Sequence, residues 1–105
     1  MNQESTTRTI YSYAQRRSSR PEGANIKHVS CLSISDPEGK RGSDADKRAR
    51  ALESGEAGLI LDKARGLLDE GYDVAFYCAL GRHRSYALAE ELHRVYPQAT
   101  TVRHL

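Results

Sequence analysis

A chain of 105 residues in which 38% of the side chains are hydrophobic can bury one core, which predicts a single domain. The formal net charge is only +2, from 16 Lys and Arg against 14 Asp and Glu, so charge alone does not predict a nucleic-acid partner. No apolar stretch approaches the roughly 18 residues that a membrane helix requires, and the polar N-terminus has no signal-peptide core. We therefore expect a cytoplasmic protein that does not enter a membrane.

Four segments have the composition of β-strands. Alternation of apolar and polar residues, or a short apolar run, is typical of strands, and β-branched and aromatic side chains favour them. The predicted strands cover residues 9–13, 26–34, 74–78 and 100–103. Residues 1–8 are expected to be a disordered terminus, and the Arg-rich stretch 15–25 is expected to be an exposed loop.

Three further segments are predicted helices. Asp44 is placed to cap a short helix over 46–52. The clearest helical periodicity covers 56–70, where Gly71 follows at the position of a C-terminal cap. The third helix covers 84–95. The predicted apolar faces of the second and third helices consist of Leu59, Ile60, Ala64, Leu67 and Leu68, and of Ala87, Leu88, Leu92 and Val95.

The order of these elements from residue 26 onward is strand, helix, strand, helix, strand. Such a βαβαβ order favours parallel pairing with right-handed crossovers. We therefore predict an α/β fold: one domain over 9–105 with a small, mostly parallel sheet, flanking helices and an additional N-terminal strand. Ligands of such sheets bind outside the carboxyl ends of the strands, and the segments 78–85 and 36–41 both follow predicted strands.

The segment that joins the third strand to the third helix carries the clearest chemistry. It contains Gly81, followed by Arg82, His83 and Arg84 at the start of the helix. The first N–H groups of a helix have no partner within it and favour an anion. Arginine guanidinium groups match the oxygens of a phosphate or carboxylate. The sequence therefore predicts an oxyanion site, with phosphate as the expected anion.

The candidate ligand-binding residues fall into two groups. His83, Arg84 and the backbone N–H groups from Gly81 to Ser85 are expected to form the phosphate site, and Ser85 is also the expected N-cap of the helix. Further ligand contacts are assigned to Ala79, Leu80, Arg82, Arg41 and His104. Cys31 and Cys78 fit no zinc-finger spacing, and no metal or cofactor is predicted.

The same loop also fits a second chemistry. The residues from Cys78 to Ser85 satisfy C-x-x-G-x-x-R-S and resemble the phosphate loop of cysteine phosphatases. In that alternative Cys78 is the nucleophile, since a helix N-terminus and nearby cations favour a thiolate, and Arg84 grips the phosphoryl group. Tyr77 stands where that family has His, and Asp36 is the only candidate general acid. We prefer a structural thiol at Cys78 because no acid–base pair can be assembled from the sequence.

A broader resemblance covers nearly the whole chain from Thr9. The stretch from Val74 to Leu92 is similar to the C-terminal domain of the RNase adaptor RapZ family, in which a strand leads into a C-x-G-G-x-H-R-S loop and an Ala-Glu-x-Leu helix. Three other pieces agree in order: Ile10–Tyr13, Ser35–Pro37 with Arg41, Gly42 and Asp44, and Val102–His104. Leu80 and Ala79 depart from the loop motif.

The resemblance implies an α/β domain that binds an amino-sugar phosphate and, in the full-length family, RNA and an endoribonuclease. We therefore expect a module that binds a phosphorylated small molecule, with a regulatory rather than a catalytic role. An RNA-binding adaptor that uses Arg16, Arg17 and Arg20 is a further alternative. A ribonuclease and a second copy of this chain are the protein partners left open.

Overall fold

Four strands and three helices make up the part of the chain that the computed structural model describes, residues 7–35, 42–80 and 83–105. The strands are β1 (Arg8–Ala14), β2 (Ile26–Ser30), β3 (Asp73–Cys78) and β4 (Thr100–His104). The helices are α1 (Asp44–Glu53), α2 (Gly55–Asp69) and α3 (Arg84–Val95). The predicted single α/β domain is confirmed. None of the helices in these ranges combines the length and apolar character needed to cross a membrane.

The strands form one parallel sheet in the order β2-β3-β1-β4. In the register of the central strands, Ile10 on β1 is paired with Val74 on β3 and with Val102 on β4. Because every pairing is parallel, the carboxyl ends of all four strands lie along one edge of the sheet, which we call the carboxyl edge. The N-terminal strand, predicted only as an addition to the core, lies inside the sheet between β3 and β4.

The helices pack on one face of the sheet and enclose the core. α3 packs on β1, β3 and β4, whereas α2 packs on β2 and β3, and α1 contacts both of these helices. The steps from β2 to β3 and from β3 to β4 run in the same direction across the sheet, so right-handed crossovers place the connecting helices on the same side. Phe76, Leu88 and Leu92 are fully buried between the sheet and α3.

Aromatic side chains occupy the opposite face of the sheet. The Tyr13 hydroxyl and Nδ1 of His28 are hydrogen-bonded at 2.9 Å, and the rings of Tyr13 and Tyr77 lie 5.4 Å apart. Burial raises the pKa of Tyr13 and lowers that of His28, and the positive charge of Arg20 further lowers the pKa of His28. Arg20 belongs to the connection between β1 and β2, so this loop runs close to the aromatic cluster.

The predicted strands differ from the structure by one residue at several ends, and by four residues at the end of β2. β1 begins at Arg8, one residue before the predicted start, while residues 1–6 lie outside the described ranges. β2 ends at Ser30 rather than at residue 34. The reason is local: the Ser30 hydroxyl accepts a hydrogen bond from the Leu32 N–H, and the Ile34 N–H donates to the Cys31 carbonyl. These bonds close a turn where the sheet pattern would have continued.

The predicted apolar faces of two helices are wrong at one position each. Leu59 on α2 is 67% exposed, and Val95 at the end of α3 is also exposed. In α2 the buried residues are Ala64, as predicted, and Ala57, which was not predicted. Both are small residues that bring the helix close to its neighbours. Gly71 has a φ of +99° directly after the C-cap of α2, which confirms its predicted role.

Candidate functional site

The loop between β3 and α3 begins at the carboxyl edge of the sheet, next to the end of β1. The Gln15 N–H donates to the Cys78 carbonyl at 3.0 Å, and the Arg16 N–H donates to the Ala79 carbonyl at 3.2 Å. These two bonds continue the parallel ladder past the ends of the strands and fix the first residue of the loop. Ala79 and Leu80 are half-buried there. Gly81 and Arg82 lie outside the described residues, as do Arg41 and Asp36.

The N-terminus of α3 differs from the other helix N-termini in the described ranges. The side chain of Ser43 caps α1 and that of Ser54 caps α2. The N-cap of α3 is His83, whose side chain makes no capping hydrogen bond. The prediction of Ser85 as this cap is therefore wrong, and the predicted cap of α1, Asp44, is likewise replaced by the residue before it. The positive end of the α3 helix dipole faces the loop, and the side chain of the N-cap residue makes no hydrogen bond to the backbone N–H groups there.

His83 is buried and held by an acidic residue. Only 4% of the residue is exposed, and its Nε2 lies 2.8 Å from Oδ1 of Asp44 in the first turn of α1. The Asp44 side chain is half exposed. The contact joins the N-termini of two helices, so residues that are 39 positions apart in sequence lie side by side at the carboxyl edge.

Arg84 is buried at the start of α3 and is bonded to the chain that follows β2. It is 5% exposed, and its Nη1 donates to the carbonyls of Ile34 at 3.1 Å and of Leu32 at 3.4 Å. The turn that ends β2 directs these two carbonyls toward the guanidinium group. Arg84 therefore has a positioning role, and its contact with a ligand stays a prediction. Hydrogen bonds from a charged group to buried carbonyls are among the stronger ones in proteins.

Cys78 and Ser85 contact each other beneath the loop. The Cys78 sulfur lies 3.2 Å from the Ser85 hydroxyl, and the Ser85 N–H donates to the same sulfur at 3.5 Å. Both residues are buried. The Ser85 side chain that was predicted to cap α3 is therefore directed at sulfur instead. These bonds join the last residue of β3 to the second residue of α3, across the base of the loop.

His104 is bonded to protein groups on both sides of its ring. Its Nδ1 is hydrogen-bonded to the Ser12 hydroxyl, and its Nε2 lies 2.6 Å from Oε2 of Glu90. The ring also stacks on Tyr86, with a centroid distance of 3.6 Å. Contact of His104 with a ligand stays a prediction, since either ring nitrogen would have to exchange a protein partner for that ligand.

A stack of three side chains adjoins the site and was not predicted from the sequence. The Arg48 guanidinium carbon lies 3.6 Å from the centre of the Tyr86 ring, on which His104 also stacks. The three residues come from α1, α3 and β4, and no sequence pattern links them. Beside the stack, α1 and α3 form an open groove of about 560 Å³ with a floor that includes Ala49 and Ala87. His83 and Arg84 do not line this groove.

The predicted site residues are thus brought together only in part. His83, Arg84 and Ser85 are adjacent to the end of β3, while His104 is at the end of β4 and stacks on Tyr86. Arg16, Arg17 and Arg20 are exposed on the loop after β1, as predicted, although nothing in the structure shows that RNA binds there.

Comparison with known proteins gave no match to a family model, to a curated protein or to a solved structure. The resemblance to the RapZ family remains a prediction.

Proposed function

We propose that this protein binds a small phosphorylated molecule at the carboxyl edge, on the loop between β3 and α3. One observation carries the proposal: α3 begins without a capping side chain from its N-cap, and the two residues at that point, His83 and Arg84, are basic and buried. A helix N-terminus attracts a phosphate, and basic groups beside it strengthen that preference.

The contacts of the site divide into binding and positioning groups. The backbone N–H groups at the start of α3 are the proposed phosphate donors, except that of Ser85, which donates to the Cys78 sulfur. The Arg82 side chain, predicted from the sequence, is a further proposed donor. The His83 imidazole is a further proposed donor, and its hydrogen bond to Asp44 holds the ring in place. Arg84 supports the loop by its bonds to the chain after β2. A sugar phosphate, in particular an amino-sugar phosphate, is the ligand that the RapZ resemblance favours.

Thermal denaturation in the presence of phosphate tests this function. Inorganic phosphate and a series of sugar phosphates are added to the reduced protein, with chloride at equal ionic strength as the reference. A ligand at 100 times its Kd adds about 2.7 kcal/mol to the free energy of unfolding. Arg82→Ala is expected to weaken this stabilisation at least fivefold in Kd, whereas Arg103→Ala, at an exposed residue of β4, leaves it unchanged. Equal stabilisation in chloride and in phosphate would disprove the proposal.

A cysteine-dependent phosphatase is a second candidate, favoured by the Cys78–Ser85 contact. Both the N–H and the hydroxyl of Ser85 reach the Cys78 sulfur, and such donors stabilise a thiolate. In this reaction the sulfur attacks phosphorus, the alcohol leaves, and water then hydrolyses the phosphocysteine. The bonds from Arg84 to backbone carbonyls count against it, since that arginine would have to grip the phosphoryl group.

Turnover of an activated phosphomonoester separates the two functions. p-Nitrophenyl phosphate is incubated with the reduced protein and with Cys78→Ser. Turnover that disappears in the variant supports the phosphatase. Stabilisation by phosphate without turnover supports the binding module.

A further inference from the structure

Two free cysteines meet beneath the loop at the ends of neighbouring strands. Cys31 follows β2 directly and Cys78 ends β3. Since Ser30 pairs with Tyr77 in the parallel register, the next residues along the two strands are Cys31 and Cys78. The Cys31 N–H still donates to the Tyr77 carbonyl at 2.8 Å, so the ladder continues to this point. The two cysteines are therefore lateral neighbours in the sheet.

Both side chains point to the same side of the sheet. Residues paired in a parallel register share a face, and Cys31 and Cys78 belong to the one hydrophobic core that includes Phe76 on β3. Neighbouring strands lie about 4.8 Å apart, which is inside the range of Cα separations that a disulfide spans, about 4.4–6.8 Å. The spacing of the two strands is therefore compatible with a bond between the sulfurs.

The two thiols have different surroundings. The Cys78 sulfur receives the N–H and faces the hydroxyl of Ser85 at the start of α3, groups that stabilise negative charge on sulfur. Cys31 is fully buried, and this burial raises the pKa of its thiol, with Cys78 raising it further. Because the Ser85 donors face the Cys78 sulfur, Cys78 is the proposed site of attack on an oxidant, and Cys31 is placed beside it on the neighbouring strand to resolve the product.

We propose that Cys31 and Cys78 form a reversible disulfide that switches the start of α3. With hydrogen peroxide as the oxidant, the Cys78 thiolate attacks one peroxide oxygen, the O–O bond breaks, and a sulfenic acid and hydroxide form. The Cys31 sulfur then attacks the Cys78 sulfur, the S–O bond breaks, and the departing hydroxide takes the Cys31 proton and leaves as water. The hydroxide from the first step takes the proton that Cys78 lost on ionisation. Overall, two thiols and one peroxide give one disulfide and two water molecules.

The disulfide changes the position of the start of α3 because it moves the Cys78 sulfur away from Ser85. The bond to Cys31 draws the Cys78 sulfur toward β2 and away from the first turn of α3. The fully buried Ser85 N–H and hydroxyl then lose the partner that they share in the reduced protein. A buried donor without a partner is unfavourable, so the start of α3 must shift. The proposed effect on phosphate affinity rests on the proposed function, whereas disulfide formation does not.

Peptide mapping of the full chain tests disulfide formation. The reduced protein is treated with one to five equivalents of hydrogen peroxide, blocked with N-ethylmaleimide and digested with trypsin. The expected product links the tryptic peptides 28–40 and 66–82 and is separated by dithiothreitol. In Cys31→Ala, Cys78 is expected to oxidise beyond the sulfenic acid, since no resolving thiol is present. Sulfinic acid at Cys78 in the wild type without the linked peptide, or two unmodified thiols, would overturn the proposal.

A second readout separates this inference from the proposed function. Thermal denaturation with inorganic phosphate is compared for the reduced, the oxidised and the re-reduced wild type. The phosphate-induced rise in Tm is expected to fall by more than half in the disulfide form and to return with dithiothreitol. An unchanged rise in the linked protein would overturn the switch. If phosphate has no effect on the reduced protein while the linked peptide forms, the phosphate function fails and the disulfide stands.

Discussion

Nε2 of His83 lies 2.8 Å from Oδ1 of Asp44, a contact that ties the N-terminus of α3 to the N-terminus of α1. α1 contributes little to the core, since Ala51 is its buried residue. The position of α1 therefore depends on polar contacts at its first turn and on the stack of Arg48 on Tyr86. Because His83 is also a proposed phosphate donor, the position of α1 and the ligand loop are physically coupled.

Asp44→Asn is expected to destabilise the protein modestly. The substitution keeps the shape of the side chain but replaces its carboxylate by an amide, so the hydrogen bond to His83 is weakened. Because the Asp44 side chain is half exposed, solvent screening limits the expected loss to about 0.5–1 kcal/mol. Urea denaturation at pH 7 measures it. Asp62→Asn, on the exposed surface of α2, is the matched control and is expected to have a smaller effect. Equal midpoints for Asp44→Asn and the wild type would contradict this role.

Arg84→Met tests the positioning role of the arginine. The substitution keeps an unbranched side chain and removes the donors to the Leu32 and Ile34 carbonyls. Leaving the buried Ile34 carbonyl without this partner costs about 1–3 kcal/mol. Arg94→Met in the last turn of α3, where the arginine is exposed and paired with Glu91, is expected to stay within about 0.5 kcal/mol. Chemical denaturation of both variants decides the question, and a similar loss in both would show that Arg84 is not a structural anchor.

Two leucines that both lie on predicted apolar faces are expected to respond differently to truncation. Leu92 on α3 is fully buried, whereas Leu59 on α2 is largely exposed. Leu92→Ala leaves a cavity and is expected to lower the free energy of unfolding by about 2–5 kcal/mol. Leu59→Ala is expected to change it by no more than about 0.5 kcal/mol. The comparison of denaturation midpoints tests the observed packing of α2, and a large loss at Leu59 would restore the original prediction.

The aromatic face of the sheet is expected to make stability depend on pH. Burial and the charge of Arg20 lower the pKa of His28, so the folded protein binds this proton more weakly than the unfolded chain, in which histidine titrates near 6.5. Neutral His28 therefore contributes to the free energy of unfolding, and this contribution is fully present above that pH and is lost as the pH falls through the pKa of His28 in the folded protein. His28→Gln is expected to reduce the loss of stability between pH 7.5 and pH 5.5. Lys27→Gln, an exposed neighbour, should keep the wild-type slope, and an unchanged slope in His28→Gln would contradict the assignment.

The fold was largely predictable because its main signals are local. The apolar run that forms β3 and the helical periodicity of α3 lie next to each other in the sequence, and the predicted bounds of α3 agree with the structure. The early end of β2 was not predicted, because one serine hydroxyl bonds to the Leu32 N–H and closes a turn. The exposure of Leu59 was not predicted, because helical periodicity identifies an apolar face but not which residues of that face pack against the sheet or another helix.

The candidate site was predictable in position but not in its contacts. The order of strand, basic loop and helix identified His83, Arg84 and Ser85 as neighbours at the carboxyl edge. It did not identify their partners, since Asp44 and the carbonyl of Ile34 come from segments far away in the sequence. The motif also suggested that Ser85 caps α3, whereas its hydroxyl contacts the Cys78 sulfur. Partners across such distances follow from the tertiary fold and not from local pattern.

Two-dimensional ¹H–¹⁵N NMR of the reduced protein during titration with inorganic phosphate tests the central claim most directly. The account predicts saturable shifts of the amide signals of residues 81–86, with smaller changes at Asp44 and none at the exposed arginines of the loop after β1. The absence of saturable shifts in residues 81–86, or shifts confined to Arg16, Arg17 and Arg20, would contradict it.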